Sequence, residues 1–243
     1  MSSNKISTGS YDFNKWLAGG YEQDVITMIA GPPGSGKSNF CVLVACSQAK
    51  KGNKVIFVDT EGGFSVDRVK QIVGEEKDKV LENIFVLSPT SFDEQRKNFS
   101  ILLEKLKKEQ VALIIIDSMA MLYRLELGDA IQSKDSENIK DINREVARQM
   151  RILSEISRKQ NIPIVITNQV YSDFVSGEDY KNGIRGEVNL VGGSLFSYWC
   201  KCILELKNEH GKRSASLIKH RSLPYKEMDF EINNKGIIKR GWI

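Results

Sequence analysis

Eight consecutive residues, Gly31-Pro32-Pro33-Gly34-Ser35-Gly36-Lys37-Ser38, fit the pattern G-x-x-x-x-G-K-[ST] in full, and Asn39 follows them. Glycines let the backbone curl so that successive N–H groups point inward at a phosphate, and a helix starting there adds its positive dipole end. Lys37 then stands where an ammonium bridges β- and γ-phosphates, and Ser38 where a hydroxyl completes a Mg²⁺ shell. The apolar run Val25 to Ala30 precedes the loop and a helical pattern to about Lys50 follows it, which is the context the motif requires. The expected ligands are ATP and Mg²⁺, held by residues 31–39.

Three further groups sit at the ends of apolar runs. Leu113 to Ile116 delivers Asp117 to a strand end, where a metal carboxylate belongs in an open α/β sheet and where a helix cap is the other use of an Asp. Glu61, in Asp59-Thr60-Glu61, is long enough to orient and partly deprotonate a water attacking a γ-phosphate; a surface carboxylate fits the same position. Gln169, in Thr167-Asn168-Gln169, can hydrogen-bond a γ-phosphate and lose that bond after hydrolysis, although polar residues are common at strand ends.

These groups need a scaffold that brings strand ends together. The 243 residues are 41% hydrophobic and 27% charged, so the chain can build a sizeable core, and the net charge of +4 permits nucleic-acid binding without requiring it. No apolar run reaches the ~20 residues of a membrane span, and no secretory signal opens the chain, so a cytoplasmic protein without a membrane partner is expected. Four cysteines, with no Cys-x-x-Cys pair, make neither a disulfide framework nor a zinc site. Strands are expected at 25–30, 55–58, 84–87, 113–116 and 162–167, with helices between them. Ser91 to Glu94 has capping-box spacing, and Ile139 to Ile156 carries apolar residues at steps of three and four. Strands apolar on both faces imply a mostly parallel sheet flanked by helices. Later runs joined through Asn208–Gly211 and Asn233–Gly236 imply a C-terminal antiparallel extension. One α/β domain over 1–243, with a short lead-in over 1–20, is the expected organisation.

Taken in order, Ile6-Ser7-Thr8-Gly9, the phosphate loop, Asp59-Thr60-Glu61-Gly62-Gly63-Phe64, Ile116-Asp117-Ser118 with Tyr123-Arg124, and Ile166-Thr167-Asn168-Gln169-Val170 resemble the RecA/RadA recombinase family, most closely its archaeal RadB-type paralogues. The resemblance implies a RecA-like P-loop ATPase core, with Glu61 as the catalytic glutamate and Gln169 as a γ-phosphate sensor. It also implies that Arg68 stacks on adenine, where a solvated helix residue is the other reading, and that Tyr123 and Arg124 lie in the first DNA-facing loop, where a buried Tyr beside a surface Arg is the other. With thirty residues before Gly31 and no F-x-x-A segment among them, neither the helix-hairpin-helix domain nor the polymerisation handle of full recombinases is expected.

Charge refines this picture. The Gly-rich segment 171–194 holds Lys181 and Arg185 against Asp173, Glu178, Asp179 and Glu187, a net of −2, whereas residues from Leu195 onward hold ten basic residues against five acidic. A DNA footprint therefore leans on the hairpin residues Lys212 and Arg213, with Lys239 and Arg240, although solvated hairpins show the same pattern. Lys219 and Arg221, two apart on an expected strand, share a face and could reach a neighbour's ATP as they do in KaiC-type relatives; an alternating solvent face is the other reading. The expected function is a recombination accessory ATPase that hydrolyses ATP slowly, binds DNA, and assists a RadA-type recombinase as a monomer or small oligomer. The rival is a KaiC-like signalling ATPase that does not act on DNA.

Overall fold

Successive side chains of a strand face opposite sides, and here the two sides are two cores. On β4 (Lys54–Asp59) Val55 and Phe57 enter one core, Ile56 and Val58 the other. On β6 (Val111–Asp117) Leu113 and Ile115 divide from Ile114 and Ile116 in the same way. Each such fully buried side chain contributes about 1.5–3 kcal/mol, so the sheet must be covered on both faces.

The computed structural model describes residues 4–172 and 188–241. One face is covered by α2 (Lys37–Ala49), α3 (Val66–Val73) and α4 (Lys77–Leu81), the other by α5 (Phe92–Lys108), α6 (Met121–Gln132) and α7 (Ser136–Gln160). The remaining strands are β3 (Ile26–Gly31), β5 (Ile84–Leu87), β7 (Ile164–Ser172), β8 (Val188–Leu190), β9 (Cys200–Glu209), β10 (Lys212–Lys219), β11 (Glu227–Asn233) and β12 (Gly236–Lys239). Among the described residues nine strands run β12-β11-β10-β9-β3-β7-β6-β4-β5, and β8 pairs with β7. From β9 to β5 the neighbours are parallel. From β9 to β12 they are antiparallel. The lead-in is built as α1 (Tyr11–Trp16) between β1 (Lys5–Ile6) and β2 (Tyr21–Glu22), which pair antiparallel.

Local signals set most boundaries. Ser65 caps α3 and Ser91 caps α5, each by accepting a backbone N–H bond at 3.2 Å. The expected capping box at α5 closes one residue early, since Glu94 accepts from the Thr90 N–H (2.7 Å) rather than from Ser91. His210 and Gly211 turn β9 into β10 with φ of 50° and 84°, the positive pair that a two-residue hairpin requires.

Three expectations change. Tyr123 and Arg124 lie in helix α6 rather than in a loop. β9, expected in the antiparallel extension, pairs antiparallel with β10 but also parallel with β3. Lys219 and Arg221 do not share a strand face, because the register shifts between Leu217 and Lys219 and β10 ends at Lys219. Both groups are engaged within their own chain. Lys219 Nζ donates to the Ser197 carbonyl (2.9 Å), and the Arg221 guanidinium donates to Asp24 (2.7 and 2.8 Å) and to Glu22 (3.0 Å). The expected segment around Lys181 and Arg185 lies outside the described residues.

Arg221 therefore fastens the end of β10 to the β2–β3 turn. Glu22 is 6% exposed, so loss of its partner leaves a buried charge uncompensated. Arg221→Ala is expected to lower stability by on the order of 2 kcal/mol in chemical denaturation. The arginine's hydrogen bond holds the Asp24 carboxyl below its ordinary range. That part of the stabilisation is complete above the unfolded-state carboxylate value and is lost as pH falls through the lower folded value. The gap between wild type and Arg221→Ala should accordingly narrow in acid.

Candidate active site

The pairing of the central strands carries the candidate residues to one edge of the sheet. Gly31 of β3 lies opposite Gln169 of β7, and Asp59 of β4 opposite Asp117 of β6. The loop after β3, the carboxylates after β4 and β6 and the amide on β7 thus meet at the C-terminal strand ends.

In the phosphate loop Gly36 has φ of 110° and begins α2 without a side-chain cap, so the first N–H groups of the helix are left for a ligand. Gly31 is excluded from substitution for a different reason: an added Cβ would sit 2.6 Å from Ser35 Oγ and 2.7 Å from the Leu206 carbonyl. Lys37 Nζ donates to the carbonyls of Gly31 (2.9 Å) and Pro32 (3.1 Å), which lays the ammonium across the mouth of the loop. Burial pulls its pKa down, against the opposing pull of Glu61 and Asp117. Ser35 Oγ is buried with no partner. Asn39 follows Lys37 and Ser38 in the first turn of α2 and is half-buried.

Asp117 has no solvent exposure. Its Oδ1 accepts from the Thr167 hydroxyl (2.5 Å), while its Oδ2 is buried without a partner. Burial pushes the Asp117 carboxyl up, and the hydroxyls of Ser38 and Thr167 act against that. Ser38 Oγ and Asp117 Oδ2 converge beside Gly63, lying 3.0 and 3.6 Å from where its Cβ would be. An orphaned buried carboxylate oxygen next to a hydroxyl fits a hard cation. Among the described residues no group of three His, Cys, Asp or Glu side chains gathers, so the fit is to a Mg²⁺ that arrives with phosphates, as such ions do when one carboxylate is supplied.

Glu61 projects from a loop built by Asp59, whose two oxygens accept from the Gly63 and Phe64 N–H groups (2.9 Å each). Thr60 ties that loop to the end of β6, exchanging hydrogen bonds with Ser118 O (2.9 Å) and Ser118 N (2.8 Å). Gln169 Nε2 donates to Glu61 Oε1 (3.1 Å), and Arg124 Nη1 donates to Gln169 Oε1 (3.5 Å). The structure thus brings together residues 31–39, Glu61, Asp117 and Gln169.

Other expected residues stand apart from this group. Tyr123 is 4% exposed, packs edge-on against Phe196 and donates its hydroxyl to Asn143 Oδ1 (2.8 Å), so stacking on a base is not open to it. Its place on the side of α6 that packs into the core is the reason. Arg68 donates to Gln71 (3.0 Å), while its Nε and Nη2 are buried without partners and burial lowers its pKa. Lys212 lines a cavity of about 520 Å³ with Trp16, Lys239 and Arg240, but Glu227 and Asp229 line it too. Arg213, the next residue on β10, is half-buried with its Nε unpartnered.

Sequence reasoning missed Thr167, the Asp59 and Thr60 clamps, and Asn208, whose Nδ2 donates to the Gly34 carbonyl (3.2 Å) from the β9–β10 hairpin. Thr60 and Thr167 were both visible as polar residues ending apolar strands, whereas nothing local to Asn208 marks a contact 174 residues away.

If Lys37 is the phosphate-binding cation, Lys37→Ala should abolish triphosphate binding or weaken it at least tenfold in calorimetry, since a point charge between phosphates is removed. Unchanged affinity would refute the assignment.

Relatives with this architecture are readily found. The chain is 41% identical over 239 residues to a protein of Methanobrevibacter smithii named DNA repair and recombination protein RadB, covering 96% of this chain and 95% of that one. It is 38% identical over 237 residues to the protein of the same name from Methanosphaera stadtmanae, covering 96% and 95%. A solved structure described as the RadB recombinase superimposes with a TM-score of 0.72 at 29% identity, covering 96% of this chain and 98% of that one. The family model described as Rad51 matches residues 2–240, and the chain therefore belongs to the Rad51 family.

Proposed function

We propose that this protein is a DNA repair and recombination accessory ATPase that binds Mg-ATP, hydrolyses it slowly, binds DNA, and assists or regulates a RadA-type recombinase. The observation that carries the ATPase reading is the Gln169–Glu61 hydrogen bond at the mouth of a complete phosphate loop (3.1 Å). Glu61 can take a proton from a water in line with a γ-phosphate while Gln169 holds the carboxylate in place. Ser38 and Asp117 would hold Mg²⁺, which neutralises charge developing on the phosphates. The names of the relatives support the repair and recombination role.

Slow turnover is supported by the engagement of one candidate cation elsewhere. Arg221, the candidate for completing a neighbour's site, is bound to Asp24 and Glu22 of its own chain. While engaged there, Arg221 is not available to stabilise transition-state charge in trans. That engagement also favours a monomer or small oligomer over a long filament.

Two experiments test the proposal. Glu61→Gln should keep ATP affinity while slowing hydrolysis on the order of 10²-fold, the usual worth of a general base; unaltered turnover would remove Glu61 from the chemistry. DNA affinity in gel-shift titrations should fall steeply with salt as counterions are released. Reversal of Lys212, Lys239 and Arg240 to Glu should weaken it more than reversal of Lys107 and Lys108 on α5. No shift with single- or double-stranded DNA, with or without ATP, would favour the signalling ATPase instead.

A further inference from the structure

We infer that Thr167 is a positioning residue for the divalent cation, acting through Asp117 by deciding which carboxylate oxygen faces the phosphate loop. The inference rests on the ATP-binding reading above and assigns a part of that site to a residue with no role in it so far.

Thr167 and Asp117 are neighbours across the β6–β7 ladder, one step beyond the Ile116–Ile166 pair, and neither has any solvent exposure. The hydroxyl donates to Oδ1 at 2.5 Å, and a carboxylate held at one oxygen cannot turn about its Cβ–Cγ bond without breaking that bond. Oδ2 is then the oxygen left over. It has no partner of its own and borders the same space beside Gly63 as Ser38 Oγ. The Thr167 backbone works in the same direction, since its carbonyl accepts from the Met119 N–H (3.1 Å) and ties down the turn that leaves β6. The side chain and the main chain of one residue thus fix both the orientation of the Asp117 carboxylate and the path of the chain just beyond it.

Residues that hydrogen-bond a metal ligand without touching the metal set ligand orientation, and their loss costs about 10–100-fold in metal affinity. Valine matches threonine in shape but cannot donate to Oδ1. Thr167→Val should therefore raise the Mg²⁺ concentration for half-maximal tight binding of a fluorescent ATP analogue at least tenfold, with affinity for the analogue in EDTA unchanged. Mn²⁺ titration followed by electron paramagnetic resonance should show the same shift without any turnover. Thr167→Ser retains the donor and should restore the wild-type value, and Thr167→Cys, a weak donor, should fall between.

In an Asp117→Asn background, Thr167→Val should add little, because the oxygen it serves is gone. If Val does not fold, as judged by its thermal melt, the Ser and Cys variants carry the test alone: equal Mg²⁺ dependence in Cys, Ser and wild type overturns the role of Thr167. So does a Val variant that folds and keeps the wild-type Mg²⁺ dependence. A wild-type protein that binds no ATP analogue, with or without metal, overturns the ATP-binding reading itself and this inference with it.

Discussion

A carboxylate with no access to water, placed at the tip of the most apolar strand of the sheet, is the constraint around which the site is organised. Burying an ion costs several kcal/mol unless neighbouring groups compensate. Around Asp117 those neighbours are a hydroxyl from β7, a hydroxyl from the first turn of α2, and the Lys37 ammonium that begins the same helix. They come from β7 and from the helix that follows β3, so the compensation exists only when β3, β6 and β7 are in register. Satisfying one charge and assembling one site are the same event.

The parts visible from sequence were those set by local chemistry. The phosphate loop, the apolar strands and the start of α5 at Ser91 all follow from residues within a few positions of each other. Helix α6 was missed because it is apolar on several sides and carries Gly128, which weakens the helical periodicity. Tyr123 was placed in a loop by the family resemblance, and the helix instead turns Tyr123 inward and Arg124 outward. The mixed charge of the groove at Lys212 was hidden too, because Glu227 and Asp229 come from β11 and join Lys212 only through the antiparallel pairing.

Some of the cations that stand out in the sequence are engaged within their own chain. Arg221, which stands out in the sequence as a reaching cation, secures Asp24 and Glu22, and Arg148 is bound bidentately by Glu145 on α7. Arg124 is an exception of another kind, since it is exposed yet linked through Gln169 to Glu61. The exposed face of α6 and the Glu61 carboxylate are two side chains apart.

The phosphate loop is backed by parts of the chain made last. Leu206 of β9 closes one side of Gly31, Asn208 holds the Gly34 carbonyl, and Ile232 of β11 would meet a Cβ at Gly36 at 2.7 Å. During synthesis the chain emerges from its N-terminus, so the loop leaves the ribosome long before its supports. The strand that carries it, β3, lies between β7 and β9, both made more than a hundred residues later. A nascent chain cannot complete the surroundings of its phosphate loop until nearly all of it has been translated, and so the finished loop reports completion of the polypeptide rather than the appearance of its motif.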